Sequence, residues 1–570
     1  MLRAGKGVEV ATWNVPPRGR EITRTGNGPF PSEPVAAGID AVLKLPGLDA
    51  TSKDELRRFA GVLRNQLPPP SRTRHFPDSD YTTHHRPGFS QDVRTWSSRT
   101  ENAECINAEN QFGAHLADGA AYTLVSGTEY HGIFPVWDWR KVPGVLARQE
   151  HAVAPPCHYE TMGATDFVGG VELAEQNWAA VTMDFSHGPP TKRLQEPEVL
   201  DTSPAETPDP TCKNGLRSGG FCCPKTCSEC GGKKCDTPPN VGADCCVTAI
   251  AKDGRECAKV SAPCNLNHVP PPPPPGQRFP LTAKRSWFLI DEGFLSLTAG
   301  ASLAANDSSV AVALEQSRLD GPVASSNWVN AEIPEPQPQG ISFSRSTEGT
   351  NGVVVIHHNI SYVALGDGLL PSTGGRTPML RASVGPQTGS WHNISTEKQG
   401  GSVTMDVFKL WLDLGPAPLT GGSAGYAVLP GANTTTVADV FRRTKVLANS
   451  VERQVVRSSS GSTTAIMAVV HSGEDVLTES DAGFSLKTNS SLLLGMTAQG
   501  KDFKSARGIS FSFSRPSGGV GTVRLTATGL PALRTNSSDA GGSVRCSGGT
   551  IDLSFPAELG RTATGSCLAG

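Results

Sequence analysis

Seven charged or amide side chains crowd into the twelve residues from Arg99 to Asn110: Arg99, Glu101, Asn102, Glu104, Asn107, Glu109 and Asn110. An aromatic, strand-like segment follows, with Tyr122, Tyr130, Phe134, Trp137 and Trp139 before Gly144. An ordinary surface loop has little use for so many amides and carboxylates beside so many large rings. A site for sugars does, because amides and carboxylates pair with hydroxyls while aromatic faces cover ring C–H bonds. A guanidinium in the same stretch suits a uronic carboxylate.

Two further arginines, Arg20 and Arg24, would share a face if their segment were helical, although Pro16 and Pro17 make the preceding part irregular. Taken alone they read as solvated arginines in a basic tail. His75, His84 and His85 invite a metal, but no carboxylate or cysteine accompanies them at ligand spacing, so they read as structural or surface histidines.

The elements that must position these groups are mainly β. Gly 62, Pro 45 and 6% aromatics suit a turn-rich β protein. Short alternating strands run from about 110 to 455, and another strand-rich unit from about 456 to 570. In AKRSWFLID, Trp287 and Leu289 alternate with Phe288 and Ile290, which predicts a strand buried on both faces. Two helices are expected ahead of the strands. One spans Val35–Leu45, and the other spans Ser52–Leu67 behind a Ser52–Glu55 capping box.

Ten of the 14 cysteines lie between two Pro-rich linkers: Cys212, Cys222, Cys223, Cys227, Cys230, Cys235, Cys245, Cys246, Cys257 and Cys264. Their density favours five disulfides over zinc at the Cys227–Cys230 CxxC pair. Cys546 and Cys567 are expected to clasp the C-terminal end, while Cys105 and Cys157 stand alone. With sequons at Asn306, Asn359, Asn393, Asn433, Asn489 and Asn536, this predicts an oxidising, extracellular setting. The opening MLRAGKGVEVATW carries no signal peptide, so the expectation is that the natural N-terminus lies further upstream. A net charge of −3 gives no argument for nucleic acid, and no apolar run reaches the ~18 residues of a membrane helix.

The motifs RTxxxExxNxEN, LADG and PVWDWRKVPG together resemble polysaccharide lyase family 8, most closely its chondroitin AC lyase branch. Further landmarks follow in order: GATDFVGGVE, LTAKRSWFLIDEGFLSLTAG, VALEQS, DVFKLWLDLG and GYAVLPG. The resemblance implies β-elimination on a chondroitin- or hyaluronan-like polysaccharide. It also implies a fold in which an α/α toroid precedes a large antiparallel β-sandwich and a C-terminal β domain. The expected organisation is 1–100 as the end of the toroid, 101–455 as the central sandwich, 205–275 as an inserted cysteine-rich module and 456–570 as the last β domain. Arg20, Arg24 and Glu104 fall on the family's catalytic positions, and Asn107, Arg99 and Asn110 on substrate contacts. The family's catalytic Asn, His and Tyr would precede Met1, so the chain taken alone is expected to be inactive. No cofactor or metal is expected, and the expected state is a monomer acting on an acidic polysaccharide. A non-catalytic extracellular protein that binds acidic glycans stays open as the alternative. Still weaker is a reading of the insert as an inhibitor-like or chitin-binding knot.

Overall fold

The structure is a computed structural model, and it describes residues 32–64, 66–103, 110, 112–149, 161–190, 207–208, 216–218, 221–222, 281–304, 308–327, 335–337, 342–371, 376–395, 401–478, 482–499, 502–517, 521–538, 542–555 and 560–569. The chain divides into two compact units, 1–189 with 280–570 and, by itself, 190–279.

Two helices come first, α1 (Ser32–Val42) and α2 (Ala50–Leu63). They pack on each other through Ala36, Ile39, Ala60 and Leu63, and Arg64 ties them by pairing with Glu33 and Asp40. The expected capping box is corrected. Asp49 is the N-cap, and its carboxylate accepts from the Ser52 N–H and hydroxyl, since a carboxylate both satisfies a free helix N–H and opposes the positive helix end. Phe59 and Leu67 remain 43% exposed, so only part of the apolar stripe is covered by α1.

Helix gives way to strand earlier than expected. A four-stranded antiparallel sheet takes in β1 (Arg72–Phe76), β2 (Tyr81–Arg86), β3 (Phe89–Arg94) and β4 (Ala120–Leu124). The second helix ends at Leu63, close to the expected Leu67, and strand begins at Arg72 rather than near 110, because the alternation from Arg72 onward fits a pleated sheet with one face covered.

The central body is two facing sheets. A five-stranded sheet includes β5 (Leu146–Arg148), and a ten-stranded one includes β6 (Trp178–Pro190), β7 (Thr282–Ile290) and β8 (Gly293–Leu303). Then come β9 (Ser309–Arg318), β10 (Ser342–Ser346), β11 (Gly352–His357), β12 (Ile360–Leu365), β13 (Met379–Gly389), β14 (Val403–Pro416) and β15 (Leu419–Pro430). The smaller sheet runs β10-β13-β14-β9-β5, and the middle of the larger runs β11-β12-β15-β8-β7-β6. Trp287, Leu289, Tyr362 and Tyr426 meet Leu380, Phe408, Leu410 and Leu412 between the sheets.

The alternation in β7 does what its pattern predicts. Phe288 and Ile290 point to a second core, shared with Val456, Met467 and Val469 of the C-terminal sheet and with Val437 and Phe441 of helix α3 (Thr434–Arg443). That C-terminal sheet has twelve strands and begins at Lys445, ahead of the expected 456. Cys546 and Cys567 are disulfide-bonded within it, with Cα atoms 6.3 Å apart.

The second unit is broader than the expected 205–275, and its described part is a small antiparallel sheet of Thr207–Pro208, Leu216–Ser218 and Phe221–Cys222. The other nine cysteines assigned to the insert lie outside the described residues. Asn306 does too, whereas Asn359, Asn393, Asn433, Asn489 and Asn536 are all exposed. Among the described residues no helix is long and apolar enough to cross a membrane.

Candidate active-site strap

The polar stretch begins on a buried carboxylate. Asp80 sits in the left-handed region (φ 48°) after the turn Pro77–Ser79, where its Oδ2 accepts from the Ser97 and Thr100 hydroxyls, both at 2.7 Å. Arg99 completes this cage. Its Nη2 donates to Asp80 Oδ1 at 2.8 Å and to Val168 O at 3.1 Å, and its Nη1 to Asp166 O at 3.1 Å. Expected as a substrate ligand, Arg99 is a strut that holds the strap to the sheet. A fully buried aspartate needs a charged partner, and Arg99 is ion-paired to it.

Asn102 donates from Nδ2 to Ala114 O at 2.8 Å, which brings together the chain on either side of 104–109. Asn110, expected on the substrate, is fully buried at φ 47°, and its carbonyl accepts from the Gly113 N–H at 3.3 Å. Short amides tolerate that conformation, so Asn110 serves a turn. Arg20, Arg24, Glu104 and Asn107 lie outside the described residues.

The aromatic residues are not exposed platforms. Tyr122, Tyr130, Phe134, Trp137 and Trp139 are all buried in one cluster with Ile394 and Val407. Phe134 and Trp137 meet edge to face at 4.9 Å, and Trp137 and Trp139 at 5.4 Å. Their area stabilises the strap's foundation from behind and leaves no ring face for sugar. Arg285, also fully buried, clasps this foundation to the larger sheet. Its Nη1 donates to Asp118 O at 2.9 Å and its Nη2 to Gly144 O at 2.5 Å.

A second constellation escaped sequence reasoning. Tyr130 and Tyr362 donate their hydroxyls to the buried Glu315 carboxylate at 2.9 and 3.0 Å, and the Gln316 N–H donates at 2.9 Å. Burial still pushes Glu315 up to about 8. Beside it a cavity of about 330 Å³ is lined by Glu129, His131, Arg318, Asp320, His357 and His358. Burial raises the Glu129 carboxyl, but His358 at 3.5 Å and the N–H groups of Val125, Ser126 and Gly127 outweigh it, so its pKa falls below the ordinary value. Tyr130 and Glu315 are 185 positions apart, and only the landmark VALEQS marked the glutamate in the sequence. Among the described residues no group of three or more His, Cys, Asp or Glu converges as a metal site. His75 Nδ1 instead bonds Thr82 Oγ1 at 2.8 Å, and His84 Nε2 bonds Ile290 O at 2.8 Å.

The raised Glu315 pKa has a definite sign. The folded state holds that proton where the unfolded chain has lost it, so the stabilisation is complete below about pH 4.5 and is lost as pH rises towards 8. Glu315→Gln cannot ionise and should gain on the parent by about 4 kcal/mol between pH 5 and 9. Thermal melts across that range test this, and parallel profiles for the two proteins would refute it.

Comparison with known proteins places this arrangement. Residues 71–196 and 275–440, more than half of the chain, match the family model described as polysaccharide lyase family 8, super-sandwich domain. A chondroitinase-AC of Pedobacter heparinus is 25% identical over 386 residues, covering 67% of this chain and 39% of that protein. The chain thus spans about two-fifths of the length of that curated relative. A chondroitinase AC lyase solved with oligosaccharides superposes with a TM-score of 0.64 at 20% identity, covering 98% of this chain and 63% of that one. Paenibacillus xanthan lyase gives 0.65 at 18%, covering 97% and 45%. Streptomyces coelicolor A3 chondroitin AC lyase gives 0.56 at 17%, covering 97% and 62%. At these identities the structural likeness shows the fold alone.

Proposed function

The chain belongs to polysaccharide lyase family 8, and from that premise we propose that it serves a secreted enzyme that cleaves a uronic-acid-containing polysaccharide by β-elimination. The observation that carries this is the family match through the super-sandwich, resuming after the inserted unit, with the strap of family-like residues pinned at both ends by Arg99 and Asn102. Elimination requires the uronate carboxylate to be neutralised, the C5 proton taken by a base, and O4 protonated as it leaves. In this reading Arg20 and Arg24 hold the sugar and a catalytic tyrosine, Glu104 orders that network, and Asn107 contacts substrate. The family's Asn, His and Tyr would come from sequence preceding Met1. The five exposed sequons and the Cys546–Cys567 disulfide support an extracellular setting. The remaining insert cysteines are proposed as disulfides, and the protein as a monomer.

The test is the ultraviolet absorbance of the unsaturated uronate product. Protein translated from the complete transcript should release it from chondroitin or hyaluronan, and the 570-residue chain should not. In the active protein, Glu104→Gln should lower kcat about a hundredfold, with a smaller change in KM. Absence of product from the longer protein on every uronate polymer would refute the reading. The alternative, a glycan-binding protein without turnover, draws support from the structural employment of Arg99 and Asn110. It predicts retention on uronate polymers with no absorbance change.

A further inference from the structure

We propose that one end of the central sandwich carries a binding site for a single neutral sugar ring, formed by the cavity beside Glu315 and separate from the strap. The inference goes beyond the elimination reading and does not depend on it. The cavity, of about 330 Å³, lies where β9 of the smaller sheet and the β11–β12 hairpin of the larger one both end, and the 128–131 turn adds a third side. Among the described residues, none of the strap lines it.

The walls are built rather than incidental. His358 and Asn359, which connect β11 to β12, have φ of 48° and 59°, as the two central positions of a type I′ hairpin turn require. Asparagine followed by glycine is the usual choice there. A histidine at the first position is strained, and it persists because both ring nitrogens are engaged. Its Nε2 lies 3.5 Å from Glu129 Oε1, and its Nδ1 lies 3.2 Å from Asp320 Oδ2. The bond to Glu129 raises the His358 pKa above its ordinary value, so near pH 6 the ring is a cation between two carboxylates. Arg318 brings a second cation to the mouth. Its Nη1 donates to His131 O at 3.4 Å, one long bond for a group that carries five N–H donors.

Two carboxylates and two cations leave this lining without net charge, and Glu315 beneath it adds none below about pH 8. Such a cavity has little field with which to select an ion. It has instead donors and acceptors interleaved over a short distance: the Arg318 fork, the Asp320 carboxylate, whose side chain is 72% exposed, and the hydroxyls of Thr128 and Ser317. Neighbouring sugar hydroxyls each donate and accept, so they pair with a carboxylate and a guanidinium side by side. His357 in the wall stays neutral, because burial pushes its pKa down to about 4. With Nε2 accepting from the Asp320 N–H, its proton sits on Nδ1, where it meets no acceptor among the described residues. An oxygen lodged against that N–H would remove the cost of leaving it unpaired. Leu319 and Ile360 offer apolar contact for ring C–H bonds. The volume stands at the bottom of the small-molecule range, so it admits one ring and not a chain.

The test titrates the 570-residue chain with methyl β-galactoside, N-acetylglucosamine, glucuronate and inorganic sulfate at pH 6, read by saturation-transfer and displacement NMR. The chain is produced without N-glycans, because the Asn359 sequon lies in the hairpin wall. At least one neutral ring should bind with a Kd of roughly 1–10 mM. Arg318→Ala and Asp320→Ala should each weaken it about tenfold. Thr128→Trp, which sets a bulky side chain at the mouth, should abolish it. All three native side chains are exposed, so the melting temperatures should match the parent. Should Asp320→Ala melt lower through the loss of its His358 contact, Thr128→Trp, which leaves both carboxylates in place, still decides. Absence of saturation transfer to either neutral ring would overturn the proposal, as would unchanged affinity in Arg318→Ala and Thr128→Trp. Displacement of the neutral ring by glucuronate or sulfate at lower concentration would also overturn it, and would mark an anion site. These monosaccharides carry no sugar at O4 to expel, so the result is read apart from the lyase test.

Discussion

Acidifying the 570-residue chain from pH 7 to pH 4 should unfold its β body cooperatively, with the midpoint between about pH 4 and 6. Burial pushes His75, His85 and His357 down to about 4, His471 to about 3 and His84 well below its ordinary value. His357 shows why. Its Nε2 accepts from the Asp320 N–H at 3.1 Å, and a proton on that nitrogen would end the bond inside a packed sheet. For each of these groups the unfolded chain binds protons that the folded one refuses, so stability is present above about pH 6.5 and is lost as pH falls through the folded values. A shift of 2.5 units corresponds to about 3 kcal/mol, so even half of that summed over five histidines approaches the 5–15 kcal/mol of a typical domain.

Two carboxyls oppose this. Burial raises Asp92 to about 7 and Glu315 to about 8, so these groups add stability as pH falls from 8 and lose it as pH rises. The balance puts maximum stability near pH 6.5, with a steep acid limb of about three protons net. Circular dichroism against pH, with proton uptake measured by titration, checks this. An acid midpoint below pH 3.5 would contradict it.

Replacing Arg285 by alanine should cost about 3–5 kcal/mol, which lowers the melting temperature by roughly 10 °C in a chain of this size. The guanidinium is fully buried and lies 4.7 Å from the ring centre of Trp287. Its donors serve the carbonyls of Asp118 and Gly144, which belong to the sequence landmarks LADG and PVWDWRKVPG. Alanine removes both donors and opens a void against Trp287. Arg285→Lys should recover only part of the loss, because an ammonium cannot reach both carbonyls as a fork does.

The same close approach explains Gly119. At φ 81° a Cβ there would lie 2.5 Å from Arg285 Nη1 and 2.6 Å from the Trp287 ring. Gly119→Ala should therefore destabilise by a similar amount, and its effect should be smaller in the Arg285→Ala background, because one of the two clashes is gone. Calorimetric melts of the single and double variants decide this. A change of under 2 °C for Arg285→Ala would show that the carbonyls find other partners.

What the sequence determined by itself was local or periodic. The alternation in AKRSWFLID demanded a strand with two buried faces, and β7 has Trp287 in one core and Phe288 in another. The turn-rich composition and short strands indicated facing sheets, and the motif order carried the family. Cys546 and Cys567, expected to clasp the C-terminal end, are bonded inside one sheet.

Tertiary structure decided which polar and aromatic residues were free to act, because that depends on partners remote in sequence. Arg99 was claimed by Asp80, 19 positions earlier, and by carbonyls of the segment 166–168. The aromatic run was claimed by a core completed from Ile394 and Val407. Glu315 acquired its high pKa from burial between the sheets, which outweighs the lowering hydrogen bonds of Tyr130 and Tyr362, and Gln316 beside it stands opposite Lys409 in register. Periodicity tells a residue which side of its own strand is dry. Only the pairing of strands tells it who is waiting there.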